Sequence, residues 1–233
     1  MVLETTRIAV NSLPLERSAI VASTAVRALR EHRFVSPVPA DPFSYSYLLG
    51  AYLGDGYVAD TGRSFQLVIA LDAAYPEIID ECARAVVLSL PSSRPHVRRH
   101  RVHRSVRVEA GSKLWPELFP QMGPGRKHER PIVLAPWQRE IVERETWQFV
   151  RGLIHSDGCR SINRFKTRLP SGRVAEYAYP RYFFSNLSPD IRGLFCEACD
   201  RLGLRSTQSN HRNISISHRA SVALLDEFVG PKC

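Results

Sequence analysis

Two stretches of the chain, "LLGAYLGDG" at 48–56 and "VRGLIHSDG" at 150–158, end alike in Asp-Gly and place small residues at matching positions. Gly50 and Gly54 stand four apart in the first block, and Gly152 and Ser156 do so in the second. Each block, taken as a helix, therefore exposes a strip without bulky side chains. Helices with such strips can pack closely. If the two meet about a pseudo-twofold axis, Asp55 and Asp157 arrive at equivalent ends. Carboxylates so placed repel unless cations lie between them, which points to an oxygen-ligand site for Mg²⁺, with Mn²⁺ or Ca²⁺ suited to the same donors. A turn residue before glycine would explain either Asp alone, but not the pair.

The order of elements around the blocks also repeats. After the first come strand-like "SFQLVIALD", helical "PEIIDECARAVVLSL", strand-like "HVRRHRVHRS" and "VRVEAGS", and helical "SKLWPELFPQM". After the second come strands through "AEYAYPRYFFSN", helical "SPDIRGLFCEACDRLG", strands "RSTQSN" and "NISISH", and helical "RASVALLDEFVG". The expected fold class is α+β, with two pseudo-symmetric αββαββα repeats at 41–122 and 145–233. A Gly/Pro-rich linker at 123–144 joins them, and an N-terminal arm at 1–40 carries an amphipathic helix at 14–33. Asp55 maps to Asp157 at an offset of 102, whereas Ile78, Cys82 and Val86 map to Leu194, Ala198 and Leu202 at 116. The difference predicts a longer hairpin in the second repeat, through "KTRLPSGRVAEYA" with Ser171-Gly172 at its tip.

A formal charge of +9, carried by clustered basic residues of which only four are Lys, favours a polyanionic partner, nucleic acid first among them. Five cysteines are too few and too scattered for a disulfide scaffold, which suits an intracellular protein, in the cytoplasm or nucleoid of a prokaryote or in an organelle. Cys196 and Cys199 form a C-x-x-C inside an apolar helical pattern without a second Cys/His pair, so they read as core residues and not as a metal site. No apolar run is long enough to span a membrane.

Both blocks resemble the LAGLIDADG motif of the homing endonucleases, in the single-chain arrangement with two motifs, over roughly residues 44 to 230. The resemblance implies two four-stranded antiparallel sheets forming a saddle over DNA, with the motif helices at its centre. It implies Mg²⁺-dependent cleavage of both strands to leave 3′ overhangs, by a monomer acting on a long asymmetric double-stranded target. The matching catalytic and metal-holding acids are Asp55 and Asp157, aided by backbone carbonyls at Gly54 and Ser156. Family enzymes also keep a basic residue before each repeat's last helix, where Lys113 pairs with Arg219 and Ser112 with His218. A polar residue belongs at the end of the second strand, where Asn186 fits and its partner Ala70 does not. His155 departs from the usual motif and reads equally well as a packed polar residue. Relatives in this family that have lost cleavage assist intron splicing on RNA or regulate by binding DNA, which is the alternative function.

DNA contacts are expected from strand residues, whose alternate side chains share a face. In the first repeat these are Arg98, Arg99, Arg101, Arg104 and Arg107. In the second they are Arg160, Asn163, Arg164, Lys166, Arg168, Arg173, Tyr177, Tyr179 and Arg181. Arg suits guanine edges and phosphates, and Asn suits adenine.

Overall fold

The computed structural model describes residues 38–99 and 104–230. The helix read at 14–33 lies outside the described residues, as do Arg101 and Cys233. The first repeat runs α1 (Pro42–Asp55), β1 (Gly56–Asp60), β2 (Phe65–Asp72), α2 (Pro76–Ser89), β3 (His96–Arg99), β4 (Ser105–Ser112) and α3 (Trp115–Leu118). A 3₁₀ turn (Lys127–Glu129) and α4 (Pro136–Arg144) follow. The second repeat runs α5 (Thr146–Asp157), β5 (Gly158–Arg168), β6 (Val174–Ser185), α6 (Pro189–Arg201), β7 (Thr207–Gln208), β8 (Asn213–Ile216) and α7 (Arg219–Phe228).

Local chemistry sets the helix starts. The Asp41 carboxylate accepts from the Ser44 amide at 3.2 Å and Pro42 opens α1, while the Ser188 hydroxyl accepts from the Ile191 amide at 3.4 Å and Pro189 opens α6. The helix expected over "SKLWPELFPQM" is much shorter. It ends at Leu118 because Pro120 disfavours helical geometry at Phe119, whose φ is −125° and ψ 69°.

Each repeat builds one antiparallel four-stranded sheet, ordered β1-β2-β4-β3 and β5-β6-β8-β7. One face of each is apolar and buried: Leu67, Ile69, Leu71, Val106, Val108 and Ala110 in the first sheet, Tyr182, Phe184, Ile214 and Ile216 in the second. These join α1, α5 and the flanking helices in a single core. The hairpin difference read from the offsets is present, at 13 residues against the 14 that the offsets give. Gly56 pairs with Ile69, 13 positions on, and Gly158 pairs with Phe184, 26 positions on. Gly172, at φ +79°, turns the long hairpin.

The paired helices meet along their small residues. A Cβ added at Gly50 would sit 2.4 Å from the Phe149 carbonyl oxygen, and one at Gly152 would sit 2.1 Å from that of Tyr47. Backbone thus touches backbone, as the sequence spacing requires. His155 is buried here, with Nδ1 3.2 Å from the Tyr47 hydroxyl and 3.7 Å from the Glu81 carboxylate. Arg151 donates to the same carboxylate at 2.7 and 3.0 Å, so α5 is tied to α2 of the other repeat.

The inter-repeat segment is pinned. Buried Gln138, on α4, donates to the Tyr45 hydroxyl at 2.7 Å, and its side-chain oxygen accepts from the Ala135 amide at 2.9 Å and from Gln121 at 2.5 Å. Arg130 donates to the Gln121 carbonyl, and the Ile132 amide donates to Asp190 at 2.8 Å.

Candidate active site

Asp55 and Asp157 are the last residues of α1 and α5, and the strands start at the very next residues. Gly56 and Gly158 make this abrupt junction possible. At both, an added Cβ would lie 2.6 Å from a Cα of the preceding helix turn, Tyr52 or Ile154, while their φ angles of −102° and −98° are ordinary. Close approach, and not a left-handed turn, selects glycine there.

The helix contact carries the acids together. A Cβ added at Gly54 would be 3.1 Å from Oδ2 of Asp157 and 2.1 Å from the Ser156 hydroxyl. The same Oδ2 accepts from the Asn186 side-chain amide at 2.5 Å, and the Asn186 oxygen accepts from the Ser188 amide at 2.8 Å. Asn186 thereby reaches one of the acids. By ladder register its counterpart in the first repeat is buried Leu71, one position beyond Ala70. The first repeat supplies no polar side chain there.

A basic group that sequence reasoning did not single out occupies this region. Lys127, half-buried in the inter-repeat 3₁₀ turn, donates from Nζ to the carbonyls of Tyr52, Leu53 and Gly54 at 2.5, 2.7 and 2.8 Å. Those are carbonyls of the last turn of α1, where the helix dipole is negative. Burial pulls its pKa down to about 8, against the upward pull of Asp157 and Asp55, with Arg130 adding to the lowering. Both carboxylates are thus in electrostatic reach of one ammonium. The Gly54 carbonyl, expected to hold metal, accepts from Lys127. The Ser156 hydroxyl turns back to its own helix, donating to the carbonyls of Gly152 and Leu153 at 3.0 Å each.

Lys113 and Arg219 are exposed beside the starts of α3 and α7. His218, also exposed, has Nδ1 3.4 Å from the Ser221 hydroxyl, and Ser112 accepts from the Leu114 amide at 3.1 Å. Ser112 and His218 thus contact their own helix starts, whereas Lys127 is bonded to the end of α1 beside the acids.

Register and pleat divide the expected DNA-contact residues between two faces. On the face turned away from the core, Arg98 pairs with Arg107, and Asn163 with Tyr179. Tyr177 and Arg181 alternate onto that side of β6. Arg99 shares the side of Val106 instead, and Arg164, Lys166 and Arg168 share the side of Tyr182. Lys166 is ion-paired with Glu176 across the hairpin. Arg160 is committed to α7, donating to both oxygens of Asp226 at 2.8 and 3.0 Å, where the Tyr182 hydroxyl also donates. Arg104 precedes β4, and Arg173 lies in the hairpin turn.

The donor set suits a hard divalent cation: two carboxylates and helix-end carbonyls, all oxygen, already gathered around one positive charge. Among the described residues no group of three or more His, Cys, Asp or Glu side chains is placed to hold a metal. Cys196 and Cys199 are free thiols; Cys199 is buried, and burial pushes its thiol well up. No helix among the described residues is long and apolar enough to cross a membrane.

No family model matches the chain, and no curated protein matches it. Several solved structures do. Mesophilic variants of the homing endonuclease I-DmoI are 17% identical at a TM-score of 0.53, over 80% of this chain and 89% of theirs. I-DmoI in complex with DNA and Mn is 16% identical at 0.52, over 82% and 99%. Full-length DUF199/WhiA from Thermatoga maritima is 16% identical at 0.51, over 82% of this chain but only 56% of its own length. The two sheets and the paired helices have the two-repeat architecture of the LAGLIDADG homing endonucleases.

Proposed function

We propose that the chain is a site-specific endonuclease of double-stranded DNA, dependent on divalent metal held by Asp55 and Asp157 and leaving 3′ overhangs. The observation that supports this most is the delivery of both acids to one place by two glycine-faced helices. The similar I-DmoI chain was crystallised with DNA and Mn.

When bound, Mg²⁺ would supply an activated water and neutralise charge on the reacting phosphate. The chain's own groups do the rest. Asp55 and Asp157 hold negative charge at two helix ends that are themselves negative. Asn186 fixes the direction of one Asp157 oxygen by its 2.5 Å bond. Lys127 keeps the carboxylates from driving each other apart before DNA arrives, and its charge favours an incoming phosphate. Arg98 and Arg107 of the first sheet and Arg181 of the second face away from the core, where a duplex can be read. The two sets differ, so the target is asymmetric, and one chain holds both halves, so a monomer suffices.

A plasmid library of random targets incubated with Mg²⁺ tests this: linear product is expected from the wild type and none from Asp157→Asn. Full cleavage by the variant would sink the assignment. Binding without cleavage, to DNA or to an intron RNA, is the second possibility. One observation favours it, since Lys127 already balances the acids and holds the Gly54 carbonyl. Retention of target without cuts at any Mg²⁺ level would decide for it.

A further inference from the structure

The β5–β6 hairpin is built unlike its counterpart. Its strands have 11 and 12 residues, against 5 and 8 for β1 and β2. On the face turned away from the core it carries a run of rings. Phe165 pairs with Tyr177 across the ladder, ring centroids 5.3 Å apart, and Tyr177 lies 5.9 Å from Tyr179 with planes 17° apart. Phe165 is 42% exposed and Tyr179 50%. The run continues into Arg181, whose guanidinium lies 4.1 Å from the Phe183 ring centroid and whose buried Nε has no hydrogen-bond partner among the described residues. On the matching face of the first sheet Tyr57 is the one Phe, Tyr or Trp among the described residues; Gln66, His96, Arg98, Arg107 and Glu109 dominate it.

Closed duplex gives such rings little to do. Its grooves and phosphates are read by hydrogen-bond donors and acceptors, and Phe165 has neither. Ring faces gain energy from base faces, which become available only where bases leave the stack. Spacing points the same way: centroids 5.3 to 6.2 Å apart exceed the ~3.4 Å rise of a stacked strand, so successive rings match a splayed one. Charge over the hairpin as a whole favours a polyanion, since residues 158–185 hold six Arg or Lys and one acid, Glu176; Arg181 is the basic residue on the ring side, and Arg160, Arg164, Lys166 and Arg168 lie on the other. Asn163, directly opposite Tyr179, offers an amide for a base edge beside the rings.

We propose that the β5–β6 hairpin is a stacking platform for unpaired bases of the DNA target, with Phe165, Tyr177 and Tyr179 taking base faces and Asn163 a base edge. It rests on the nucleic-acid function proposed above. It adds that this half of the protein holds a locally opened strand while the first sheet holds closed duplex.

The test is fluorescence anisotropy of the full-length protein at fixed salt. The probes are a labelled single-stranded DNA, the same sequence as closed duplex, an RNA of that sequence, and vesicles containing phosphatidylserine. The double variant Phe165→Ala/Tyr179→Ala is expected to lose about tenfold or more on single-stranded DNA and less than about twofold on duplex. Phe165→Tyr/Tyr179→Phe, which keeps both rings, is expected to retain wild-type affinity; its failure to do so would overturn the platform. Equal losses on the two DNA forms, or no loss, would also overturn it while leaving duplex binding intact. Tighter binding to the RNA, or ring-dependent binding to vesicles alone, would overturn the DNA assignment. A wild-type protein that binds no nucleic acid would overturn the underlying function, and the platform with it.

Discussion

Replacing Lys127 with Met keeps the length of the side chain and removes its charge, which isolates what the ammonium does at the acids. The wild-type ammonium makes three bonds of 2.5, 2.7 and 2.8 Å to carbonyls of the last turn of α1. Hydrogen bonds to a charged group contribute about 1.5–3 kcal/mol each, so the gross interaction is about 5–9 kcal/mol. Part is offset by the cost of burying the charge, seen in the lowering of the pKa to about 8. Without Lys127 two carboxylates also lose their shared counter-charge. We expect a net loss of about 2–4 kcal/mol in urea unfolding with chelator present, at the scale of a broken buried pair. Divalent metal should then do what the ammonium did. At a concentration about 100 times its dissociation constant, a bound ion restores about 2.7 kcal/mol. Mn²⁺ or Mg²⁺ should therefore rescue Lys127→Met almost fully and stabilise the wild type much less, because the ion must displace a charge already there. A variant as stable as the wild type in chelator, or equal stabilisation of both by metal, would refute the reasoning.

Gly152→Ala places a methyl group 2.1 Å from the Tyr47 carbonyl oxygen and should cost about 3 kcal/mol or more in urea unfolding, by forcing α1 and α5 apart. Hydrogen bonding from Arg160, opposed by partial burial and aided by Tyr182, holds the Asp226 carboxyl below its ordinary value. Its contribution is complete above the unfolded value of about 3.9 and is lost as pH falls through the lowered one. Asp226→Asn should accordingly cost about 1 kcal/mol at neutral pH, little for so exposed a pair, and flatten the acid limb of the stability–pH profile. Affinity for duplex should fall steeply with salt, and Arg107→Ala should lower that slope by about one.

Much of this fold was legible because it is repeated. Small residues four apart can be recognised without knowing their partner, and the contact of Gly50 with the Phe149 carbonyl is the consequence. The hairpin excess followed from offsets alone. Faces of the strands were less legible: the basic run of β3 and the charged β5 alternate across both sides, and only ladder register separates Arg98 from Arg99 or Asn163 from Arg164. Helix α4 was hidden in a stretch whose glycines and prolines advertise a loop, though Ile141 and Val142 bury one side of it. Lys127 left no local trace at all. Its partners lie more than 70 residues earlier in the chain, and nothing in "GPGRKHERP" distinguishes it from a solvated basic turn.

The departures from twofold symmetry fall in a pattern. The helix contact is symmetric because a change on one side must be met on the other: a Cβ at either Gly50 or Gly152 meets backbone. No such constraint acts on what surrounds the acids. Asp157 gains Asn186, where the first repeat has Leu71 and cannot make the same bond. The end of α1 gains Lys127 from a linker that exists only once, so no twin of it can serve α5. The surroundings of the acids are therefore unequal: Asp157 accepts from the Asn186 amide, while Lys127, in reach of both carboxylates, is bonded to carbonyls of α1. Any metal bound between them meets unequal ligands. If the chain cuts both strands, the two cuts should differ in rate, and nicked circles should accumulate before linear product in a time course. Simultaneous appearance of linear product with no nicked intermediate would show that the asymmetry around the acids does not reach the chemistry.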